Sequence, residues 1–134
     1  MSNQVVARYQ DGRLVKGTSL DVDPNRPTCH VRLVAGTAVE VKLQELKALY
    51  FVRSLEGNRD HQEGTQVEAA DPRTHGSVQV ALRFQDGERL VGLTNRYPPN
   101  KPYFFVVPVD AKSNNVRILV NRKAVIAMEP LKGN

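Results

Sequence analysis

The chain has 134 residues, enough for one ordinary domain or two very small ones. It is 40% hydrophobic and 25% charged, with one cysteine and no tryptophan. This composition excludes a disordered chain and a disulfide-stapled scaffold. No apolar run approaches the length of about 20 residues that spans a bilayer, and residues 1–25 lack the apolar segment of a signal peptide. We therefore expect a cytoplasmic protein, whose net charge of +5 allows an acidic partner without naming one.

An internal repeat is the strongest signal in the sequence. Residues 5–34 align without a gap on residues 80–109, and eleven of these thirty positions are identical. Chance would give about two, from average residue usage. A one-residue insertion extends the alignment, so that the two copies cover roughly residues 4–56 and 78–130. The repeat favours two related units over one ordinary domain.

Each copy is predicted to form five short strands. Apolar residues alternate with mixed ones over residues 5–10 and 80–85, which indicates strands, and Asp-Gly follows each as expected for a type I′ hairpin turn. Gly17 and Gly92 interrupt the second strands and predict a bend or bulge. Proline-flanked turns follow at residues 23–27 and 98–102, because proline cannot donate to a sheet ladder. Two further strands, a helical turn and a last strand complete each copy.

This order of elements predicts an all-β fold of two tandem five-stranded SH3-like or Sm-like small barrels, packed together. The first barrel takes residues 1–56 and the second takes residues 78–134. Residues 57–77 are polar and aperiodic, and they read as a linker.

Two segments, residues 48–52 and 103–107, are apolar at every position and should bury both faces. Packing of one copy on the other is the favoured explanation, and a self-association surface is the alternative. The candidate interface residues are Leu49, Tyr50, Phe51, Phe104 and Phe105.

No catalytic signature is present in the sequence, so we expect no enzyme, no cofactor and no metal site. Cys29 and His30 are expected to be a buried thiol beside an outward-facing imidazole. A metal site that joins them to His61 or His75 is a minor alternative, since these histidines share no ligand spacing.

Matched cations are the first candidate ligand-binding residues. Arg8 and Arg83 occupy the same mid-strand position, while Arg26 and Lys101 occupy the tips of the two proline turns. A rigid turn presents a cation to phosphate or carboxylate at little entropic cost. The alternative is that all four are solvated surface charges. Tyr97 and Tyr103 flank the second turn and are candidates to stack on a base, with core or rim packing as the alternative, and Asn100 lies within the turn.

Residues 11–25 resemble the first signature of the Sm and Hfq-like RNA-binding proteins: a glycine-ended hairpin, a strand glycine, then an apolar residue, an Asp and an Asn. The resemblance implies a base-binding loop and assigns it to Asp21 and Asn25. The second signature of that family, a basic turn, has no counterpart near residues 43–47.

Residues 46–58, together with the Asp-Gly hairpins and the proline turns, are similar to an uncharacterised bacterial domain family of tandem small barrels. Its members are sometimes found beside signalling modules. We therefore expect a non-enzymatic adaptor or binding module that acts through contacts with another protein or with itself. RNA binding is the alternative.

Overall fold

The computed structural model of the chain describes residues 3–57, 63–64 and 76–131. Ten strands form, five in each repeat. They are β1 (Asn3–Tyr9), β2 (Leu14–Ser19), β3 (Thr28–Arg32), β4 (Ala38–Lys42), β5 (Leu46–Val52), β6 (Val78–Phe84), β7 (Arg89–Thr94), β8 (Tyr103–Pro108), β9 (Asn115–Asn121) and β10 (Val125–Pro130). A short 3₁₀ turn precedes the last strand of each repeat, at Leu43–Glu45 and Arg122–Ala124. Most of the predicted linker, with His61 and His75, lies outside the described residues.

The strands form one antiparallel sheet in the order β10-β6-β7-β8-β9-β5-β1-β2-β3-β4. The all-β prediction is therefore confirmed. The structure does not confirm two separate five-stranded barrels. The sheet is not closed, and β5 of the first repeat pairs with β9 of the second. The two repeats thus share one continuous sheet, and its outer edges are β4 and β10.

The repeats superpose strand by strand, although their numerical offset changes. Val5 lies opposite Gly17 and Val80 lies opposite Gly92, which keeps the offset of 75. Beyond the third strand the offset becomes 79: the amide of Leu43 donates to the Pro27 carbonyl, and the amide of Arg122 donates to that of Pro102. The one-residue insertion inferred from the sequence is therefore wrong. Four extra residues lie in the loop between β8 and β9 instead, a polar segment that sequence matching alone aligns poorly.

The Asp-Gly hairpins also differ from the prediction. A type I′ turn needs positive φ at both central residues, and no described residue other than glycine has a positive φ. Gly12 has φ of 95° and donates its amide to the Tyr9 carbonyl, while the Tyr9 amide bonds to the Arg13 carbonyl. Each hairpin is thus a three-residue loop that ends in a left-handed glycine.

Two hydrophobic cores lie on opposite sides of the β5–β9 ladder. The first core is mainly β1, β3 and β4 residues, and the second is mainly β6, β8 and β9 residues. All seven residues of β5 are buried, because Leu49 and Phe51 face the first core while Ala48, Tyr50 and Val52 face the second. The continuous apolar run in this strand therefore reflects packing of one repeat on the other. Residues 103–107 differ from the prediction, because buried and half-buried residues alternate along β8.

An ionic cluster also joins the repeats. The Lys47 ammonium, on β5, lies 2.7 Å from the Asp86 carboxylate and contacts Glu88, both from the second repeat. The Lys47 side chain is only 10% exposed, and its ammonium also lies 4.7 Å from the centre of the Phe84 ring. The hydroxyl of Tyr50 donates to Glu88 at 3.3 Å. A buried cation at the junction is thus paired with carboxylates that only the second repeat supplies.

Candidate functional site

The proline turns of the two repeats, which join β2 to β3 and β7 to β8, lie next to each other. The ammonium of Lys101, in the second turn, donates to the Asn25 amide oxygen of the first turn at 3.1 Å. Pro24 and Pro99 line the same cleft. Two turns that are 75 residues apart in the sequence therefore form the two sides of one surface feature, which we name the turn cleft.

The turn cleft has a volume of about 270 Å³ and an aromatic floor. The floor consists of residues from β8: Tyr103 and Phe105 are half-buried, and Phe104 is buried in the second core. Asn95 and Arg96, which follow β7, and Asn100 and Lys101 complete the lining. The lining of the turn cleft therefore combines apolar ring surface with hydrogen-bond donors.

The electrostatics of the turn cleft set it apart. Its lining includes two cations, Arg96 and Lys101, and no carboxylate. Each of three other clefts on the described surface includes at least one carboxylate, from Glu56 and Glu88, from Asp86 or from Glu129. The bond that Lys101 makes to the Asn25 side chain is to a neutral amide, so this bond adds no negative charge. The turn cleft is thus suited to a ligand that has both apolar and negatively charged groups.

The other predicted cations lie elsewhere. Arg8 lines a separate cleft of about 210 Å³, where its guanidinium lies 5.6 Å from the centre of the Tyr50 ring. Arg83 lines a third cleft with Arg89. Arg26 is exposed and lies 3.7 Å from Asp23 within its own turn. The structure therefore brings Asn25, Asn100 and Lys101 together and leaves Arg8 and Arg83 apart.

Asp21 is engaged in local bonds. Its carboxylate accepts from the His30 amide at 2.8 Å and from the Ser19 hydroxyl at 3.1 Å, and it lies 2.7 Å from the His30 Nδ1 atom. Partial burial raises the pKa of Asp21, but these hydrogen bonds outweigh it and leave that pKa lowered. The bond to Asp21 raises the pKa of His30. These contacts tie the loop after β2 to β3 and occupy the Asp21 carboxylate.

Tyr97 and Cys29, which were also considered as site residues, pack in or against the hydrophobic cores. The Tyr97 hydroxyl donates to the Met128 carbonyl at 3.2 Å, and its ring packs against the second core. Cys29 is fully buried in the first core, and this burial raises the pKa of its thiol to about 11. Among the described residues, no group of three His, Cys, Asp or Glu side chains is arranged to hold a metal ion.

Sequence reasoning missed two cations beside the turn cleft. Arg96 stands where the first repeat has Asp21, so the mismatch between the repeats was itself the signal. Arg117 of β9 stacks between two rings, 4.2 Å from the centre of Phe51 and 4.6 Å from that of Phe105. No spacing in the sequence connects these three residues, because the β5–β9 and β8–β9 ladders bring them together.

The fold and the cleft define an all-β protein with one continuous ten-stranded sheet. In the described part of the chain, no helix has the length and apolar character to cross a membrane. The chain belongs to a family of unknown function (DUF6982), whose model matches residues 1–132. No curated protein and no solved structure matches the chain.

Proposed function

We propose that the protein is a non-enzymatic binding module that contacts another protein through the turn cleft. The observation that carries this proposal is the pair of cations, Arg96 and Lys101, in a cleft whose lining has three aromatic residues and no carboxylate. An extended acidic segment of a partner would place apolar side chains on Tyr103 and Phe105 and its carboxylates near the cations. An adaptor role in bacterial signalling belongs to the same proposal and depends on the resemblance of residues 46–58.

The bonds of the polar side chains support a binding role over a catalytic one. The Ser19 hydroxyl and the His30 imidazole both bond to Asp21, so the serine is not held by the histidine as a nucleophile is held by its base. The single thiol is buried and has a raised pKa, the opposite of what a nucleophilic cysteine needs.

Comparative affinity capture from the native cell tests the proposal. The turn-cleft variant is Arg96→Glu with Lys101→Glu, and the matched control is Arg83→Glu with Arg89→Glu, which makes the same charge change at another cleft. We expect the wild type and the control to capture the same partner and the turn-cleft variant to lose it. Equal capture by all three proteins would overturn the proposal.

RNA is the alternative occupant, and the aromatic floor is the feature that would suit it, because bases stack on aromatic rings. The separation of Arg8, Arg83 and Lys101 into three clefts gives no continuous track for a phosphate backbone. A titration with labelled single-stranded RNA separates the two ligands. Binding that weakens by orders of magnitude between about 50 and 200 mM salt would favour RNA. Absence of binding at low salt would exclude RNA as the ligand.

We infer that each repeat corresponds to an SH3-like or Sm-like small barrel that opens where β4 or β9 would meet the last strand of its own repeat. The strand order β5-β1-β2-β3-β4, repeated as β10-β6-β7-β8-β9, supports this inference.

A further inference from the structure

The two ends of the sheet are built from the same strands as its centre. With the offset of 79, β4 corresponds to β9 and β10 corresponds to β5. The centre of the sheet is the pairing of β5 with β9, with Leu49 opposite Leu119 and Tyr50 opposite Ile118. No strand in the described part of the chain pairs with the outer edge of β4 or of β10. Each end strand therefore corresponds to one of the two strands of the central junction, β4 to β9 and β10 to β5.

Apolar side chains cross the central junction in both directions. Tyr50 of β5 enters the second core, and Leu119 of β9 enters the first. Phe105 of β8 packs against the first core, with its ring centre 6.0 Å from that of Phe51. Each repeat thus completes the core of the other.

The ends of the sheet have polar residues at the corresponding positions. Glu129 of β10 takes the place of Tyr50, and Glu40 of β4 takes the place of Leu119. His30 of β3 takes the place of Phe105, directly opposite Glu40. All three end residues are exposed. If β10 of a second copy docked on β4 as β5 docks on β9, one glutamate would be buried in each core, and the His30 opposite Glu40 is already bonded to Asp21. Burial of a carboxylate without a compensating partner is strongly unfavourable.

The ionic cluster is also missing at the ends. Ile126 takes the place of Lys47, and Arg13 takes the place of Glu88. Arg13 already bonds to Asp11 at 2.8 Å in its own hairpin. In addition, Pro130 has no N–H to donate to a further strand. The ion pairs that hold the centre together therefore cannot form between two copies.

We propose that both ends of the sheet are a latent head-to-tail interface for a second copy of this chain, held closed by His30, Glu40 and Glu129. Both edges offer a strand for backbone pairing, and these three side chains put polar groups where the central junction has apolar contacts. The proposal is independent of the turn cleft and of its ligand.

Two half-variants test this inference. One carries His30→Phe with Glu40→Leu and opens the β4 end, and the other carries Glu129→Tyr and opens the β10 end. Size-exclusion chromatography with light scattering measures the mass. We expect the wild type and each half-variant alone to elute at the mass of one chain, 15.0 kDa. An equimolar mixture of the two half-variants should double that mass and stop there, because each has only one open end.

Each half-variant alone is the matched control for non-specific stickiness, since it exposes the same new apolar groups without a complementary edge. Glu40→Leu alone replaces the first half-variant if loss of the His30–Asp21 bond prevents folding, and circular dichroism checks the fold of every protein. A mixture that stays at the mass of one chain would overturn the proposal. Self-association of the wild type, or of one half-variant alone, would also overturn it.

Discussion

Gly17 and Gly92 show how a single residue fixes the path of the sheet. A Cβ atom on Gly17 would lie 2.1 Å from the Arg32 carbonyl oxygen, and one on Gly92 would lie 2.3 Å from a methyl group of Val106. Both glycines sit where the second strand of a repeat meets the third. The sequence predicted a bend or bulge there, and the structural need is a close approach of two backbones.

We expect Gly17→Ala to lower the free energy of unfolding by about 3 kcal/mol, the upper part of the usual range for overpacking. Gly92→Ala should also be destabilising, because its Cβ would lie 2.3 Å from a methyl group of the buried Val106 and 2.8 Å from the Val107 carbonyl oxygen. Urea denaturation at pH 7 measures both changes. Lys16→Ala, at an exposed site next to Gly17, is the control and should stay within about 0.5 kcal/mol of the wild type. A tolerated Gly17→Ala would contradict the close approach.

Cys29 provides a second test of a single side chain. Because burial raises its pKa to about 11, only about one thiol in a thousand is ionised at pH 8. We expect a thiol-reactive chromophore to label the native protein far more slowly than the protein in denaturant. Equal labelling rates in the two conditions would show that the first core is open.

At the scale of elements, the ionic cluster between β5 and the second hairpin decides how the repeats are held. The ammonium of Lys47 is buried, whereas Asp86 and Glu88 remain half-exposed. Removal of the carboxylates would leave a buried charge without partners, while removal of the charge itself leaves two solvated acids. The two changes should therefore have very different costs.

We expect Lys47→Met to change the free energy of unfolding by no more than about 1 kcal/mol, because the apolar chain keeps its packing. Asp86→Asn with Glu88→Gln should cost about 3 kcal/mol, as loss of the partners of a buried charge does. Urea denaturation of both variants at pH 7 gives the comparison. Equal costs would mean that the ammonium reaches water at the junction.

The same cluster predicts a response to acid. The hydrogen bond from Lys47 lowers the pKa of Asp86 below its ordinary value of 3.8. A carboxyl whose pKa falls on folding adds stability above the unfolded value and loses it as the pH falls through the folded value. We expect the urea midpoint of the wild type to fall more steeply below about pH 4 than that of Lys47→Met. Parallel curves would remove Lys47 as the cause of the shift.

At the scale of the whole molecule, the shared sheet makes each repeat dependent on the other. The second core takes Ala48, Tyr50 and Val52 from the first repeat, and the first core takes Leu119 from the second. A unit of about 50 residues is marginal even with a complete core. Each repeat alone would also expose the apolar side chains that the other normally covers.

We therefore expect separate fragments, residues 1–57 and 76–134, to be largely unfolded, and an equimolar mixture of them to regain the sheet. Far-UV circular dichroism of each fragment and of the mixture measures this. A cooperative unfolding transition in either fragment alone would contradict the dependence. The full chain cut between residues 57 and 76 is the control and should stay folded.

Local pattern was sufficient to predict most of the strands. The alternation over residues 5–10 and the Asp-Gly pairs placed the first hairpins, because side-chain period and glycine conformation are local properties. Apolarity on both faces of residues 48–52 indicated double burial without naming the second neighbour. The pairing of β5 with β9 joins residues that are far apart in the sequence, and it depends on the shape and charge of both strands. The candidate site was found in part for the same reason: Lys101 and Asn25 meet only because the two repeats share a sheet.

The central ladder also has a consequence for synthesis of the chain on the ribosome. About 60 residues separate the end of β5 from the start of β9, so at about 5–20 residues per second the fully apolar β5 waits roughly 3–12 s for its second neighbour. During that interval one face of the strand has nothing to cover it, and open apolar strand edges promote aggregation. Slowing of translation after β5 should therefore lower the soluble yield of this protein, whereas slowing after β9 should not.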